Sequence, residues 1–439
     1  MNTVLLAIAW TFVAYLVLLH LGQVVLNLRA IPRLRRRLTL QPVDNLPPPH
    51  PELELPVSVV VSVGDEEATI VAALRALLLL DYSEFEVIAV IDGAGDRTLE
   101  VLQHAFALEA FPEAHWRRIP TRPVRAIYRS RTAPNLRVID KEHGGEADAV
   151  NVGINASRYP LFFAVDTATI LLRDGLRRLA EPFLDDPAAL ASRSALRVAN
   201  GSQFGPGELQ RAELPSAMLA RLQMLEALRA FRFGRLGPRF AHAAPIAAEA
   251  VGIFRKDPVL EAGGFRKDIG ARDVELLVRL HGVMARRGEE YSVHFVPDPV
   301  CWRQVPESLG TLMRGCVSRQ AELAACLHRK GFVIPLLAEC YAPLLEIAAY
   351  LFVAAMFALG QISGATFVAY LALAFALGFL ASVSGMLLEE MSFNLHPRFE
   401  QLERLVITAM VDNLGYRQLQ SIARARGLAR WAAAGLRGT

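Results

Sequence analysis

Three acidic loops each follow directly on an apolar, β-branched run: Asp65-Glu66-Glu67, Asp92-Gly93-Ala94-Gly95-Asp96, and Asp166. In an open parallel sheet, ligands collect beyond the carboxyl ends of the strands. Carboxylates placed there can accept hydrogen bonds from a base or ribose, or hold a divalent cation against a diphosphate. One such loop says little, because Asp and Gly are ordinary turn residues; three together point to a ligand-binding rim. The cysteines, Cys301, Cys316, Cys326 and Cys340, have neither CxxC pairing nor histidines at metal-ligand spacing, and read as reduced packing thiols. His242 and His281 read as packing or locally bonded residues.

The rim needs a sheet beneath it. Val57–Val63 has a buried-strand pattern, Glu66 to Leu80 is helical in period, and Phe85–Ile91 is again a strand. Strand, helix and strand at this spacing form a βαβ unit of a parallel sheet. A further strand, Leu161–Val165, runs into Asp166, and a helix over Ala147–Ala156 follows the His143-Gly144-Gly145 turn. The fold class expected is α/β.

The chain of 439 residues is 53% hydrophobic and only 21% charged, so part of it belongs in lipid. A net charge of +3 gives no global argument for nucleic acid as a partner. From Thr3 to Leu26 the residues are almost all apolar, and Arg29, Arg33, Arg35, Arg36 and Arg37 follow. This is the pattern of a membrane helix whose C-terminal end is cytoplasmic; a cleaved signal peptide would carry its basic residues on the other side. Phe332–Leu359 and Thr366–Leu388 are each long enough to span. Leu405–Leu414, short and carrying Asp412, reads as an interfacial amphipathic helix, with a further span as the alternative. Glu339 and Glu346 share a face of the first C-terminal span, where they either bond to neighbouring helices or line a polar groove; the former is preferred. The organisation expected is a membrane helix over 1–28, a basic and proline-rich linker over 29–56, an α/β domain over 57–327, a membrane helix pair over 328–390, and an interfacial helix with a basic tail over 391–439.

Taken in order, the strings VSVVVSVGDEEATI, FEVIAVIDGAGDRT, HGGEADAVNVGINASRYPLFFAVDTATIL, VGIFRKDPVLEAGGF, GARDVELLVRLH and FVPDPVCWRQVPESLGTL resemble a membrane-integrated family 2 glycosyltransferase of the polysaccharide-synthase type. The resemblance implies a GT-A (nucleotide-diphospho-sugar transferase-like) fold and a multi-pass protein of a bacterial-type inner membrane, with its catalytic domain cytoplasmic. It implies inverting sugar transfer from a nucleotide-diphospho-sugar, with Mg²⁺ or Mn²⁺, to a polysaccharide or lipid-linked acceptor. Asp65, Glu66, Asp92, Glu146 and Asp166 then stand at the nucleotide-sugar site, and Asp166 is the first acid of the DxD metal motif. Asp273 is the general base of the ED motif. Trp302, Gln304 and Arg319 lie on the acceptor side.

The chain also departs from that pattern. Ile91 precedes Asp92, Glu146 replaces a lysine beside the donor phosphates, Ala168 replaces the second acid of DxD, and Arg272 stands before Asp273. The QxxRW motif falls on Gly315, Ser318 and Arg319. Asp166 alone would hold a cation more loosely than two carboxylates. An active enzyme would therefore need Arg272, Arg314 or Arg319 to take over the diphosphate. The alternative is a catalytically silent subunit that keeps the fold and partners an intact synthase.

Overall fold

The computed structural model describes residues 3–40, 54–111, 117–205, 207–230, 250–266, 273–325, 333–393 and 398–437. These fall into two compact units. One comprises Met1–Asp44, Ala212–Leu236 and Val305–Thr439; the other comprises Asn45–Arg211 and Gly237–Gln304. The grouping cuts across the expected 57–327 domain, since residues 212–236 and those beyond 304 join the helical unit.

The α/β unit is organised on one ten-stranded sheet of order β3-β4-β5-β2-β1-β6-β11-β8-β12-β7. Its strands are β1 (Val57–Val63), β2 (Phe85–Asp92), β3 (Leu108–Ala110), β4 (Val124–Ser130), β5 (Leu136–Lys141), β6 (Leu161–Asp166), β7 (Thr169–Leu171), β8 (Ala189–Val198), β11 (Ala250–Arg255) and β12 (Ser292–Arg303); β9 (Gln203–Gly205) and β10 (Glu208–Arg211) form a separate hairpin. β5, β2, β1 and β6 are mutually parallel, whereas β11 runs antiparallel to both β6 and β8. The near-continuous apolar runs of β1, β2 and β6 follow from this placement, because helices cover both faces of the central sheet. On one face Val57, Val59, Val61 and Val63 pack with Ile70, Leu74 and Leu77 of α2 (Ile70–Leu78), Leu102 and Phe106 of α3 (Thr98–Phe106), and Leu176, Leu179 and Phe183 of α5 (Gly175–Asp185). On the other, Val60 and Phe162 pack with Val150 and Ile154 of α4 (Glu146–Ala156), with Val259 of α7 (Lys256–Glu261) and with Leu276, Leu280 and Met284 of α8 (Asp273–Arg287).

Gly153 lets α4 lie close on β1. A Cβ there would fall inside the van der Waals radius of Val60 Cγ1, on a side chain that is fully buried. Gly153→Ala gains about 1 kcal/mol of helix propensity, but overpacking a closed core costs about 1–3 kcal/mol. A net loss of up to about 2 kcal/mol is expected, read as a lower melting temperature.

The helical unit contains α1 (Thr3–Leu40), α6 (Met218–Ala230), α9 (Leu309–Ala325), α10 (Val333–Ala358), α11 (Gly364–Phe393), α12 (Phe399–Val411), a π-helical turn at Asp412–Tyr416, and α13 (Arg417–Arg437). The linker expected from residue 29 begins later, because α1 continues through the arginine cluster to Leu40. Among the described residues, two stretches are long and apolar enough to cross a membrane, Ala7–Arg29 with 23 residues and Gly364–Leu388 with 25; in α10 the apolar stretch is the shorter Leu344–Ala358. Within this unit Glu346 bonds to neighbouring helices. Its Oε1 lies 3.0 Å from Arg417 Nε and its Oε2 accepts from Ser421 Oγ at 3.0 Å. Arg417 Nη1 in turn donates to Nε2 of the buried His20 at 2.8 Å, and His20 Nδ1 reaches Leu16 O. The side chain of Glu339 lies outside the described residues. Leu405–Leu414 is not a simple surface stripe: Leu405 and Ala409 pack with Leu225, Leu228 and Met386, and Asp412 is fully buried.

Candidate active site

The parallel strands end level. Val63 pairs with Ile91, Ser62 with Asp166, and Asp92 with Lys141, so Lys141, Asp92, the Asp65 loop and Asp166 share one rim of the sheet. Asp92 ties two loops together. Its carboxylate accepts from the backbone N–H groups of Gly144 at 2.9 Å and Gly145 at 2.7 Å, and from Lys141 Nζ; His143 Nδ1 lies 3.0 Å away. Burial alone would raise the Asp92 carboxyl, but the Lys141 hydrogen bond, the two glycine amides and the ammonium charge outweigh it and hold the group below the ordinary carboxylate value. Lys141 is fully buried and also lies 2.9 Å from Oδ2 of Asp148, which is fully buried too. Gly93 makes the approach feasible: its φ is +65°, and a Cβ would meet His143 N at 2.6 Å.

The first loop is braced against the second. Asp65 Oδ1 accepts from Gly95 N at 2.8 Å, Glu66 N donates to Thr98 Oγ1 at 3.0 Å, and Glu67 N donates to Asp96 Oδ2 at 3.2 Å. Glu66 Oε2 is shielded from solvent and has no hydrogen-bond partner among the described residues, which leaves an acceptor at the rim for a ligand donor. Glu146 is exposed at the first position of α4, where a negative charge complements the helix dipole.

Asp166 is already engaged. Arg303 Nη2 donates to its Oδ2 at 2.6 Å, Thr169 Oγ1 donates to its Oδ1 at 2.6 Å, and Arg303 Nη2 also reaches Thr169 Oγ1 at 3.2 Å. Ala168 offers no oxygen from its side chain, and no group of three His, Cys, Asp or Glu residues suited to a metal ion occurs among the described residues. A divalent cation wants several oxygen ligands. The residues present therefore do not fit the Mg²⁺ or Mn²⁺ expected at Asp166, because both carboxylate oxygens are committed to a cation and a hydroxyl of the chain itself.

Asp273 opens α8, and its Oδ2 lies 3.7 Å from Nη2 of Arg193 on β8, a guanidinium only 3% exposed. Burial pushes Arg193 down, and the Asp273 charge works against that shift. Trp302, expected on the acceptor side, is buried. Its indole N–H is given to Pro299 O at 2.9 Å and its ring meets Phe204 edge-on, so it packs in the sheet and presents no stacking face. Gln304 follows β12 and is exposed. Arg319 and Arg314 lie on α9 in the helical unit, and Arg272 lies outside the described residues. Sequence reasoning passed over Lys141 and Arg303, although Arg303 stands between two residues that it did single out.

Residues 58–242 match the family described as Glycosyl transferase family 2. Poly-beta-1,6-N-acetyl-D-glucosamine synthase of Staphylococcus aureus (strain COL) is 24% identical over 259 residues, covering 59% of this chain and 52% of that protein. The Staphylococcus epidermidis protein of the same name is 22% identical over 259 residues, again 59% of this chain and 52% of that protein. The chain thus spans about half the length of the curated relatives it matches. Among solved structures, a mannosyltransferase from Pyrobaculum calidifontis in complex with GDP-Man and Mn²⁺ is similar at a TM-score of 0.53 and 19% identity, covering 93% of this chain and 99% of that one. That likeness is one of fold.

Proposed function

We propose, from the premise that residues 58–242 carry a glycosyl transferase family 2 domain on a GT-A fold, that this chain is a membrane-bound glycosyltransferase. In this reading it moves a sugar with inversion from a nucleotide-diphospho-sugar to a growing polysaccharide or a lipid-linked acceptor. The observation that carries the reading is the shared rim of acids: Asp92 and Asp166 end strands on either side of β1, about 12 Å apart by two interstrand spacings and a two-residue offset, with the Asp65-Glu66 loop between them. Asp92 and the shielded oxygen of Glu66 face the nucleoside end of the donor. Asp273 takes the proton of the acceptor hydroxyl as its oxygen attacks the anomeric carbon and the nucleoside diphosphate departs from the opposite face. The curated relatives are named as polysaccharide synthases, which supports a polysaccharide acceptor.

The chain spans the membrane more than once, with the α/β unit cytoplasmic. The apolar stretches at Ala7–Arg29 and Gly364–Leu388 and the arginines that follow the first of them support this placement. A second reading, a catalytically silent subunit beside an intact synthase, is favoured by the engagement of Asp166 and by Glu146 where a basic residue is expected.

The test is incorporation of labelled sugar by detergent-purified protein, supplied in turn with UDP- and GDP-linked sugars and a membrane lipid extract. Transfer from one donor class well above a no-protein control is expected. Tight nucleotide binding with no transfer from any donor would instead identify the silent subunit.

A further inference from the structure

The donor rim and Asp273 are carried by two helices that meet at a single turn. α4 starts at Glu146, directly after the Gly144 and Gly145 amides that hold Asp92, and about one and a half turns on it presents Asn151, a side chain only 1% exposed. Asn151 Oδ1 accepts from Phe265 N at 2.7 Å and its Nδ2 donates to Phe265 O at 2.7 Å, so one amide bonds both backbone groups of a buried residue. The turn is shaped to take that amide: Gly264 has a φ of +68°, and a Cβ there would lie 2.3 Å from Asn151 Oδ1. From the other side Arg279 of α8 donates through Nη1 to Ala262 O and through Nη2 to Gly264 O. Its Nε and Nη2 also reach the two oxygens of Glu275, one turn earlier, at 2.8 Å and 2.7 Å. Glu275 lies in the first turn of α8, which Asp273 opens. The path from the donor rim to Asp273 therefore runs through Asn151, the Gly264-Phe265 turn, Arg279 and Glu275, and each step is a hydrogen bond or an ion pair between groups that are buried or nearly so.

We propose that Asn151 is a positioning residue for sugar transfer: by clamping the Gly264-Phe265 turn it sets where Asp273 stands relative to the donor. The proposal rests on the glycosyltransferase reading above, in which Asp273 takes the acceptor proton, and names what holds that group in register. A displacement of about 1 Å between reacting groups costs about 100-fold in rate, whereas the donor, held at the rim by other residues, keeps its affinity. α4 also supplies a matched control. Asn155, one turn beyond Asn151, clamps Ile119 in the same way, accepting from its N at 3.0 Å and donating to its O at 2.9 Å, but Ile119 lies on the segment that leads into β4 and not on the one that leads into α8.

The test compares wild type, Asn151→Ala, Asn155→Ala and Arg279→Gln as full-length, detergent-purified chains. Sugar transfer is measured with the donor class that wild type uses, at a temperature where melting shows each protein folded. Both asparagine variants are expected to melt lower than wild type. Asn151→Ala is expected to lose about 10- to 100-fold in kcat with the donor KM within about threefold, the split of a misplaced reacting group. Asn155→Ala is expected to keep kcat within about threefold, because the clamp it removes does not lead to Asp273. Arg279→Gln cuts the same path from the α8 side and is expected to lose kcat with the same split, which keeps the proposal testable where Asn151→Ala fails to fold. Equal loss of kcat in the two asparagine variants, or an unchanged kcat in folded Asn151→Ala or, where that variant does not fold, in Arg279→Gln, overturns the proposal and leaves the glycosyltransferase reading intact. Wild-type protein that transfers sugar from no donor overturns that reading and the proposal with it, so wild-type activity tells the two failures apart.

Discussion

Lys141→Met is expected to destabilise the α/β unit by about 3–5 kcal/mol, the cost of removing one partner from a buried ionic cluster. Lys141 is fully buried between Asp92 and the equally buried Asp148. Without its ammonium, the fully buried Asp148 and the partly buried Asp92 lose the cation between them. Asp148 is also fixed by Arg122 N at 3.1 Å, so it cannot swing away. A second substitution, Asp148→Asn, is expected to recover part of the loss, because it removes the stranded charge that the first one created. The pH dependence provides an independent readout. In the wild type, Asp92 is held below its ordinary value, so its contribution is present above the unfolded-state carboxylate range and is lost as pH falls through the folded value. In Lys141→Met the facing carboxylates should titrate above their unfolded values. The sign then reverses: stability is greatest in acid and falls as pH rises. Between pH 5 and pH 7.5 the Asp92 contribution in the wild type is constant, whereas the melting temperature of Lys141→Met should fall as pH rises, and parallel curves would remove Lys141 from this role.

Asp273→Asn is expected to lower transfer by about 100- to 10,000-fold, the range that a positioned general base contributes, while nucleotide affinity changes by less than about threefold. Asparagine keeps the shape and part of the hydrogen bonding beside Arg193 but cannot accept the acceptor proton. Because Arg193 is buried, weakening its ion pair should also cost about 1–3 kcal/mol of stability. The assay therefore belongs at a temperature where melting shows the variant fully folded. Under those conditions, activity within tenfold of wild type would mean that another group takes the proton.

Much of the fold was legible because the central strands carry their burial in their composition. Val57–Val63 is predicted residue for residue, and Phe85–Ile91 and Leu161–Val165 each extend by one residue into the aspartate at the rim. Those aspartates were therefore found together. Helix ends were less legible. α2 begins at Ile70, not Glu66, because residues 65–67 are committed to bracing the loop after β2. Lys141 was passed over because a lysine closing a strand reads as a solvated end; only the register of β5 on β2 places it beside Asp92. Arg303 was hidden for a related reason. Its partner Asp166 is 137 residues away, and nothing local to the Trp302-Arg303-Gln304 run announces the pairing. Trp302, expected on the acceptor side, packs in the core of the sheet, which its sequence neighbours do not announce. Residues supported by their own neighbours in sequence could be read, whereas those defined by strand pairing could not.

The ion pair between Glu346 and Arg417 bears on the order in which the protein is assembled. An unpaired Glu346 on a helix with only the apolar stretch Leu344–Ala358 would be a poor candidate for stable residence in lipid. The charge that neutralises it belongs to α13, made after α11 and α12, and the histidine that completes the chain of contacts belongs to α1. α10 is therefore expected to settle only when both α1 and α13 have arrived. A chain halted before residue 417 would present α10 with Glu346 lacking this guanidinium.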